Sequence, residues 1–517
     1  MKIAIIFFLI IAVFPAIYRL WKAKKAFNWI KNDTDFFEKQ KVNWEGETKL
    51  LVLLPCLNEQ SIVNNTLNYF AELPGVSEGR VIIIPVTGEM ESVLKAEKRY
   101  QIPSLTKNWW YRFNRTIFNS TNHGVFPLAE YKNINQLRLQ SASLESFTES
   151  LLEYYDDLPT TWELIDEWVT AKKSQFPEIT KQVMPIHDPS QFGTKSTKLN
   201  YAISSLKNSH TDIINSYNTY IGVYDFDARP SKEVFSWLNW KVEDYLQKGR
   251  DLPTVFQQVP YPLGTEIEKK HPLSVSYLFS LWHLERCFSL EAYSYYNRNK
   301  SKRKKYNLLY CMGSGMFIRS DELLEVGMFP EDSDDIALGY RLDWMNKIME
   351  VIPYPNWVQG TPSLKLLFNQ FKRIFIGVFA FRRELKWVKI HYTNLKIKNV
   401  FPRILLATFD PSFSLFQFIS ILISSVLITI EISWFIGIVN LLVLYIFYSV
   451  LFSFYIQLGC KLREYYYKPI RLNNLFLSVI AGAWISIFIR TVSIIRYIYS
   501  VFKGEDPRQV VAQKTDR

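Results

Sequence analysis

The chain opens on a run, Ile3–Tyr18, that is almost wholly apolar and is followed by Arg19, Lys22, Lys24, Lys25 and Lys31. No small-x-small cleavage site follows, so the run reads as a retained signal anchor. Leu20 and Trp21 extend it toward the ~30 Å that a bilayer core requires. Three further apolar runs lie at 412–431, 434–458 and 474–500. The first two are separated by Glu431-Ile432-Ser433, with no Lys or Arg, whereas the next connection carries Lys461, Arg463, Lys468 and Arg471. Basic residues mark cytoplasmic loops, so this asymmetry puts the large middle region and the 461–471 loop on the cytoplasmic side. Arg490 and Arg496 within the last run require a partner or an interfacial position.

Between these runs the pattern changes. Short β-branched apolar stretches alternate with helical ones, the signature of an α/β domain. Lys49–Leu54, Val81–Val86, Thr219–Val223 and Thr254–Val259 read as buried strands, and a helical pattern starts at Ser61. Residues 144–175 read as helix without an interpretable motif. The stretches 363–385 and 386–405 mix apolar and basic positions at helical spacing and read as amphipathic helices on the inner leaflet. The expected organisation is an N-terminal transmembrane anchor (1–21), a basic cytoplasmic linker (22–48), a cytoplasmic α/β domain (49–362), interfacial helices (363–410), a transmembrane region of about three helices (411–502) and a polar tail (503–517).

Composition adds two limits. The net charge of +12 comes without a long basic block or a nucleic-acid motif, and the basic residues gather beside apolar segments. A membrane surface, not nucleic acid, is the expected partner. Four cysteines without a C-x-x-C pair suggest neither a zinc site nor a disulfide framework.

The strand Thr219–Val223 runs into Asp225 and Asp227. In an extended chain, side chains at i and i+2 point the same way, and two carboxylates aimed together repel unless a divalent cation relieves them. Taken alone, the pair reads as two solvated loop aspartates. It does not stand alone. Asn58-Glu59, K-x-x-x-L-N at Lys195–Asn200, Asp225–Asp227 with Pro230 after it, Gly313-Ser314-Gly315, Asp334-Asp335 with Arg341-Leu342, and Q-x-x-R at Gln370–Arg373 with Gly377 follow in order.

That ordered set resembles the membrane glycosyltransferases of family 2, the group containing cellulose, chitin and hyaluronan synthases. The resemblance implies a GT-A-type nucleotide-sugar-binding domain in a multi-pass protein of the inner or plasma membrane. It implies inverting transfer from a nucleotide-sugar, a UDP-sugar first, to a growing polysaccharide or lipid-linked saccharide. Asp225 and Asp227 would hold Mg²⁺ or Mn²⁺, and Asp335 would be the catalytic base. Asn58, Glu59, Glu89, Lys195, Asn200, Asp225, Gly313, Ser314, Gly315, Asp334, Gln370 and Arg373 would bind substrate. The acidic run 331–335 allows two registers; the resemblance favours Asp335 because Arg341 follows it by six residues.

Two departures matter. Glu89 stands where the family has a strand-end aspartate, and Ile374 stands where it has a tryptophan that stacks on the acceptor sugar. Four spans leave a translocation path to be completed by a homodimer or a partner subunit. The competing readings are an enzyme that loads one sugar onto polyprenyl phosphate, and a catalytically silent membrane scaffold.

Overall fold

The computed structural model describes residues 2–40, 47–111, 130–214, 216–261, 283–300, 308–331, 333–358, 379–395, 397 and 399–466, with isolated positions at 368, 370, 374, 377, 491, 492, 495 and 499. The fold is mixed α/β. In chain order the principal elements are α1 (Lys2–Lys39), β1 (Lys49–Pro55), α2 (Val63–Ala71), β2 (Val81–Gly88), α3 (Met90–Tyr111), α4 (Tyr131–Gln140), α5 (Leu144–Asp156), α6 (Thr161–Gln175) and β3 (Ile186–Asp188). There follow α7 (Lys195–Ser209), β4 (Thr219–Val223), β5 (Arg229–Pro230), α8 (Val234–Gln247), β6 (Val255–Tyr261), α9 (Tyr293–Lys300), β7 (Met316–Arg319) and α10 (Ile336–Trp344). The last are β8 (Met349–Trp357), α11 (Phe381–His391), α12 (Val400–Glu431) and α13 (Trp434–Tyr466). The described residues fall into two compact units. The smaller takes Leu51–Thr211, and the larger takes Met1–Leu50 with Asp212–Pro507.

In the smaller unit the strand order is β3-β2-β1, and β3 joins β2 in parallel with Thr87 opposite His187 and Gly88 opposite Asp188. Every residue of β2 is buried, which is why it reads as a continuous apolar run and not as an alternation. Between β2 and β3 the chain inserts helices with a core of their own, formed by Ile102, Ile134, Phe147, Leu151 and Tyr155. Reciprocal capping boxes, Ser143 with Ser146 and Thr160 with Glu163, start α5 and α6.

In the larger unit the order is β4-β7-β6-β8-β5. Here β7 is antiparallel to both β4 and β6, β8 is parallel to β6, and β5 closes the edge antiparallel to β8. β8 contains Pro353 and Pro355 and is nonetheless buried throughout. Pro355 cannot donate to a ladder. Its carbonyl accepts instead from the Ser231 N–H (3.1 Å), the Ser231 hydroxyl (2.9 Å) and the Gln258 amide (2.8 Å).

α1 belongs to the larger unit and does not stop with its apolar run. It continues through Lys39, so most of the expected linker 22–48 is helix. Its buried stripe is Ile5, Ala12, Ala16, Arg19, Ala23, Ala26, Ile30, Thr34 and Phe37. The alanines allow close helix packing. This stripe faces α12, α13 and the π-helical turn Cys287–Ala292. Arg19 is not a free membrane-flanking charge, because it lies buried 3.0 Å from Glu285. Ile3, Ile6, Phe7, Ile10 and Phe14 are exposed on the other side.

Among the described residues two helices are long and apolar enough to cross a membrane, Lys2–Lys39 and Trp434–Gly459, and Phe416–Glu431 in α12 is a shorter apolar stretch. α12 already begins at Val400, so the expected boundary near residue 410 falls inside a helix, and the stretch 386–405 is divided between α11 and α12. The run 474–500 lies outside the described residues apart from the isolated positions. Polar contacts stitch the apolar helices together. The Tyr448 hydroxyl donates to the Ala12 carbonyl, Gln417 donates to Tyr448 (3.1 Å), and Asn440 donates to Ser425 (2.8 Å).

Candidate active site

In the larger unit β4 gives way after Val223 to a turn closed by the Ala228 N–H on the Asp225 carbonyl (2.9 Å). The segment carrying Asp225 and Asp227 is therefore not extended, as the sequence suggested. The burial alternation survives all the same. Tyr224, Phe226 and Ala228 are buried, whereas Asp225 and Asp227 are half-exposed. The Tyr224 hydroxyl on Gln258 Oε1 (2.5 Å) helps to fix the turn from its buried side.

Ser314 ties the glycine motif to this turn. Its hydroxyl oxygen accepts from the Asp225 N–H (3.3 Å) and from Asn356 Nδ2 (2.8 Å), which uses both acceptor positions of a hydroxyl. Gly315 has φ +81°, and a Cβ there would lie 2.8 Å from the Cβ of Gln258. Its N–H bonds Val223 O (2.8 Å) and its carbonyl accepts from the Gln258 N–H (2.7 Å). The glycine is thus required by the sheet itself, whatever approaches from outside.

Asp335 is the N-cap of α10. Its Oδ1 accepts from the Ile336 N–H (2.6 Å) and the Ser333 hydroxyl (3.1 Å). The far end of α10 is pinned. Asp343 is fully buried, pairs with both Arg298 and Arg403, and accepts from the Leu309 N–H (3.2 Å). Arg341 donates to Glu384 (2.9 Å) and to the Val326 carbonyl (2.7 Å), with its guanidinium 3.8 Å from the Trp387 ring centroid. Gly377 also approaches this helix start, since a Cβ there would lie 2.9 Å from Ser333 Oγ. Gln370 is half-buried; Arg373 and Asp332 lie outside the described residues. The larger unit thus brings Asp225, Ser314 and Gly315 together, and separately seats Asp335 against the segment that carries Gly377.

Gly313 and Asp334 are half-buried in the larger unit, and the smaller unit holds Asn58, Glu59, Glu89, Lys195 and Asn200. Asn58, just beyond β1, has φ +56°. The buried carboxylate of Glu91 organises this corner, accepting from the Asn58 N–H (3.4 Å), Gln60 Nε2 (2.7 Å), the Thr161 N–H (2.7 Å) and the Thr161 hydroxyl (2.9 Å). The Glu59 N–H in turn donates to Thr161 Oγ1 (3.0 Å). Glu89 lies 3.3 Å from His187 Nε2, His187 Nδ1 lies 2.9 Å from Thr87 Oγ1, and the Trp162 ring is 5.0 Å from the His187 ring. Lys195 and Asn200 are half-buried on α7, which Thr194 caps through the Thr197 N–H (3.4 Å). Lys198, between them, is buried and donates to the Cys56 carbonyl (3.3 Å). Burial holds its ammonium below the usual lysine range and pushes the Cys56 thiol up.

Sequence reasoning passed over Glu91, His187 and Lys198. Lys198 left a signal, because it occupies the helical stripe otherwise formed by Leu199, Ala202, Ile203 and Leu206. Glu91 and His187 left none, since their partners come from chain positions 70 and 98 residues away.

Among the described residues no three His, Cys, Asp or Glu side chains group closely enough to form a protein-only metal site. Two half-exposed carboxylates are still a fitting donor set for a hard divalent ion that completes its shell with water and phosphate oxygens.

No family model matches this chain, and no curated protein does. Among solved structures, the mannosyltransferase PcManGT from Pyrobaculum calidifontis, in complex with GDP-Man and Mn²⁺, is similar at 12% identity and a TM-score of 0.41, over 94% of this chain and 98% of that one.

Proposed function

We propose that the chain is a metal-dependent glycosyltransferase with a GT-A-type catalytic domain. It moves a sugar, with inversion, from a nucleotide-sugar to a growing polysaccharide or a lipid-linked saccharide. The observation that carries this reading is the Ser314 junction, where the backbone of the aspartate turn and the glycine motif are joined at one hydroxyl. The antiparallel register of β4 and β7, with Val223 opposite Met316, brings these two motifs, 89 residues apart in the chain, to one end of the same sheet.

In this reading Asp225 and Asp227 hold Mg²⁺ or Mn²⁺, which supplies neutralising charge to the diphosphate leaving group. Asp335 accepts the proton of the acceptor hydroxyl, its carboxylate oriented by the Ile336 N–H and Ser333. Asp334, Gln370 and Arg373 contribute on the acceptor and phosphate side; Asn58, Glu59, Glu89, Lys195 and Asn200 bind the nucleotide. The exposed apolar faces of α1, α12 and α13 support a multi-pass protein of the plasma or inner membrane, and the Lys/Arg asymmetry of the loops supports catalytic residues in the cytoplasm.

The test is a panel of nucleotide-sugars, UDP-sugars first and GDP-sugars beside them, offered to the detergent-purified full chain with and without Mg²⁺ or Mn²⁺. Metal-dependent release of free nucleotide from one donor is expected. No release from any donor, with a membrane extract supplying acceptors, would leave the silent scaffold standing.

A further inference from the structure

We propose that Lys198 is a donor-binding residue whose buried ammonium takes an oxygen of the nucleotide at the C-terminal ends of β1 and β2. The proposal rests on the nucleotide-sugar reading and adds to it a residue that the motif pattern passed over.

Lys198 is 5% exposed and reaches inward from α7 along an otherwise apolar and small-residue face. Its Nζ donates to the Cys56 carbonyl, just past the end of β1. Its Cε lies 3.1 Å from where a Cβ on Gly88, the last residue of β2, would stand. The glycine therefore gives the lysine stem its passage, and the ammonium sits at the ends of both strands.

An ammonium carries three N–H donors. Among the described residues, the Cys56 carbonyl is the one acceptor within hydrogen-bond distance, and no carboxylate lies within ion-pair distance of this nitrogen. The acidic groups whose charge reaches it are otherwise engaged. Glu91 receives Asn58, Gln60 and Thr161, and Asp188 receives the Ser190 N–H (3.0 Å) and hydroxyl (2.7 Å). A buried cation without a counter-ion disfavours the folded chain, and hydrogen bonds left unmade add to the penalty. A ligand oxygen, from a phosphate or from a carbonyl or hydroxyl of the nucleoside, relieves both. Lys195, the lysine that the motif pattern selects, is half-buried three residues earlier and does not share this situation.

The test uses the full chain in detergent, with UDP, GDP, uridine and guanosine as probes. Binding is measured by calorimetry, and the ligand-free melting temperature is recorded beside it. Lys198→Met keeps the stem and removes the charge; Lys198→Gln also keeps a donor for the Cys56 carbonyl. Wild type is expected to bind UDP or GDP, and both variants to bind it about ten-fold more weakly or worse, as loss of a charged hydrogen bond implies. The ligand-free melting temperature of Lys198→Met should equal or exceed that of wild type, a result that a structural lysine would not give. If the nucleoside loses affinity in proportion, the oxygen belongs to the base or ribose; if only the diphosphate does, it belongs to the phosphates. Undiminished binding in both variants overturns the proposal. So does a ligand-free melting temperature that falls in both, because the lysine would then be holding the fold. Binding of neither nucleotide by wild type is a different failure, that of the donor reading itself, and the proposal falls with it.

Discussion

Asp227 and Lys198 illustrate opposite relations between a charged side chain and its surroundings. Asp227 is half-exposed beside a buried Phe226, so replacing it with Asn keeps the turn and removes only charge. Asp227→Asn is expected to abolish metal-dependent nucleotide release while the chain stays folded and membrane-inserted; turnover near the wild-type rate would refute the metal assignment. For Lys198 the sign follows from burial. Its folded-state pKa lies below the ordinary 10.5 despite the raising influence of Cys56, Glu91 and Asp188. The folded chain gives up this proton before the unfolded chain does. The penalty is fully present below the folded value, and stability rises with pH from there to 10.5. Wild type should accordingly close its melting-temperature gap to Lys198→Met as the pH rises toward 10.5. A gap constant with pH would show that the ammonium is not the cause. In the proposed reading, Ile374 stands where the resembled family carries a sugar-stacking ring. The loss of ~1 kcal/mol of stacking favours release between additions. Excess acceptor with limiting enzyme should give many short products early in the reaction, whereas a few long chains beside unused acceptor would contradict this.

Among the elements, α10 carries the most consequence. It presents Asp335 at one end, and at the other it buries Asp343 between Arg298 and Arg403, the latter drawn from the first turn of α12. Asp343→Asn removes the buried carboxylate that Arg298 and Arg403 share. Breaking such a pair costs about 3–5 kcal/mol, so a large fall in the denaturation midpoint is expected. A midpoint within experimental error of wild type would mean that solvent reaches this cluster. Elements declare themselves in sequence unevenly, and the reasons are physical. β1, β2 and β4 are legible because strands buried on both faces read as near-continuous apolar runs, and β6 is legible from the β-branched and aromatic residues around Gln257 and Gln258. β8 is not, since Pro353 and Pro355 argue against a strand until the Pro355 carbonyl is seen to serve as acceptor for Ser231 and Gln258. β3 is three residues long and meets β2 only across the helical insertion, so no local pattern announces it. The end of α1 is not legible in sequence, because Arg19 reads as a membrane-flanking charge until Glu285 is seen to pair with it inside the fold. The aspartate pair was legible as chemistry but not as a turn, because burial alternates there as it would in a strand.

For the whole molecule, the charge asymmetry of the loops makes a topological claim that cysteine labelling decides. Lys207 and Ile432 are both exposed. Lys207→Cys should react with an impermeant thiol reagent only after cells are permeabilised, and Ile432→Cys, at the hairpin between α12 and α13, should react in intact cells. The reverse pattern would overturn the cytoplasmic assignment of the catalytic residues. The contact between Tyr448 and the Ala12 carbonyl has a bearing on how the protein is made. Those residues are 436 positions apart, so the helix synthesised first receives this partner only after most of the chain has left the ribosome. Until then the alanine stripe of α1 has neither α12 nor α13 to pack against. An insertion factor that shelters α1 during this interval would therefore be needed most by chains truncated before α13, and those chains should be the ones that cellular quality control removes.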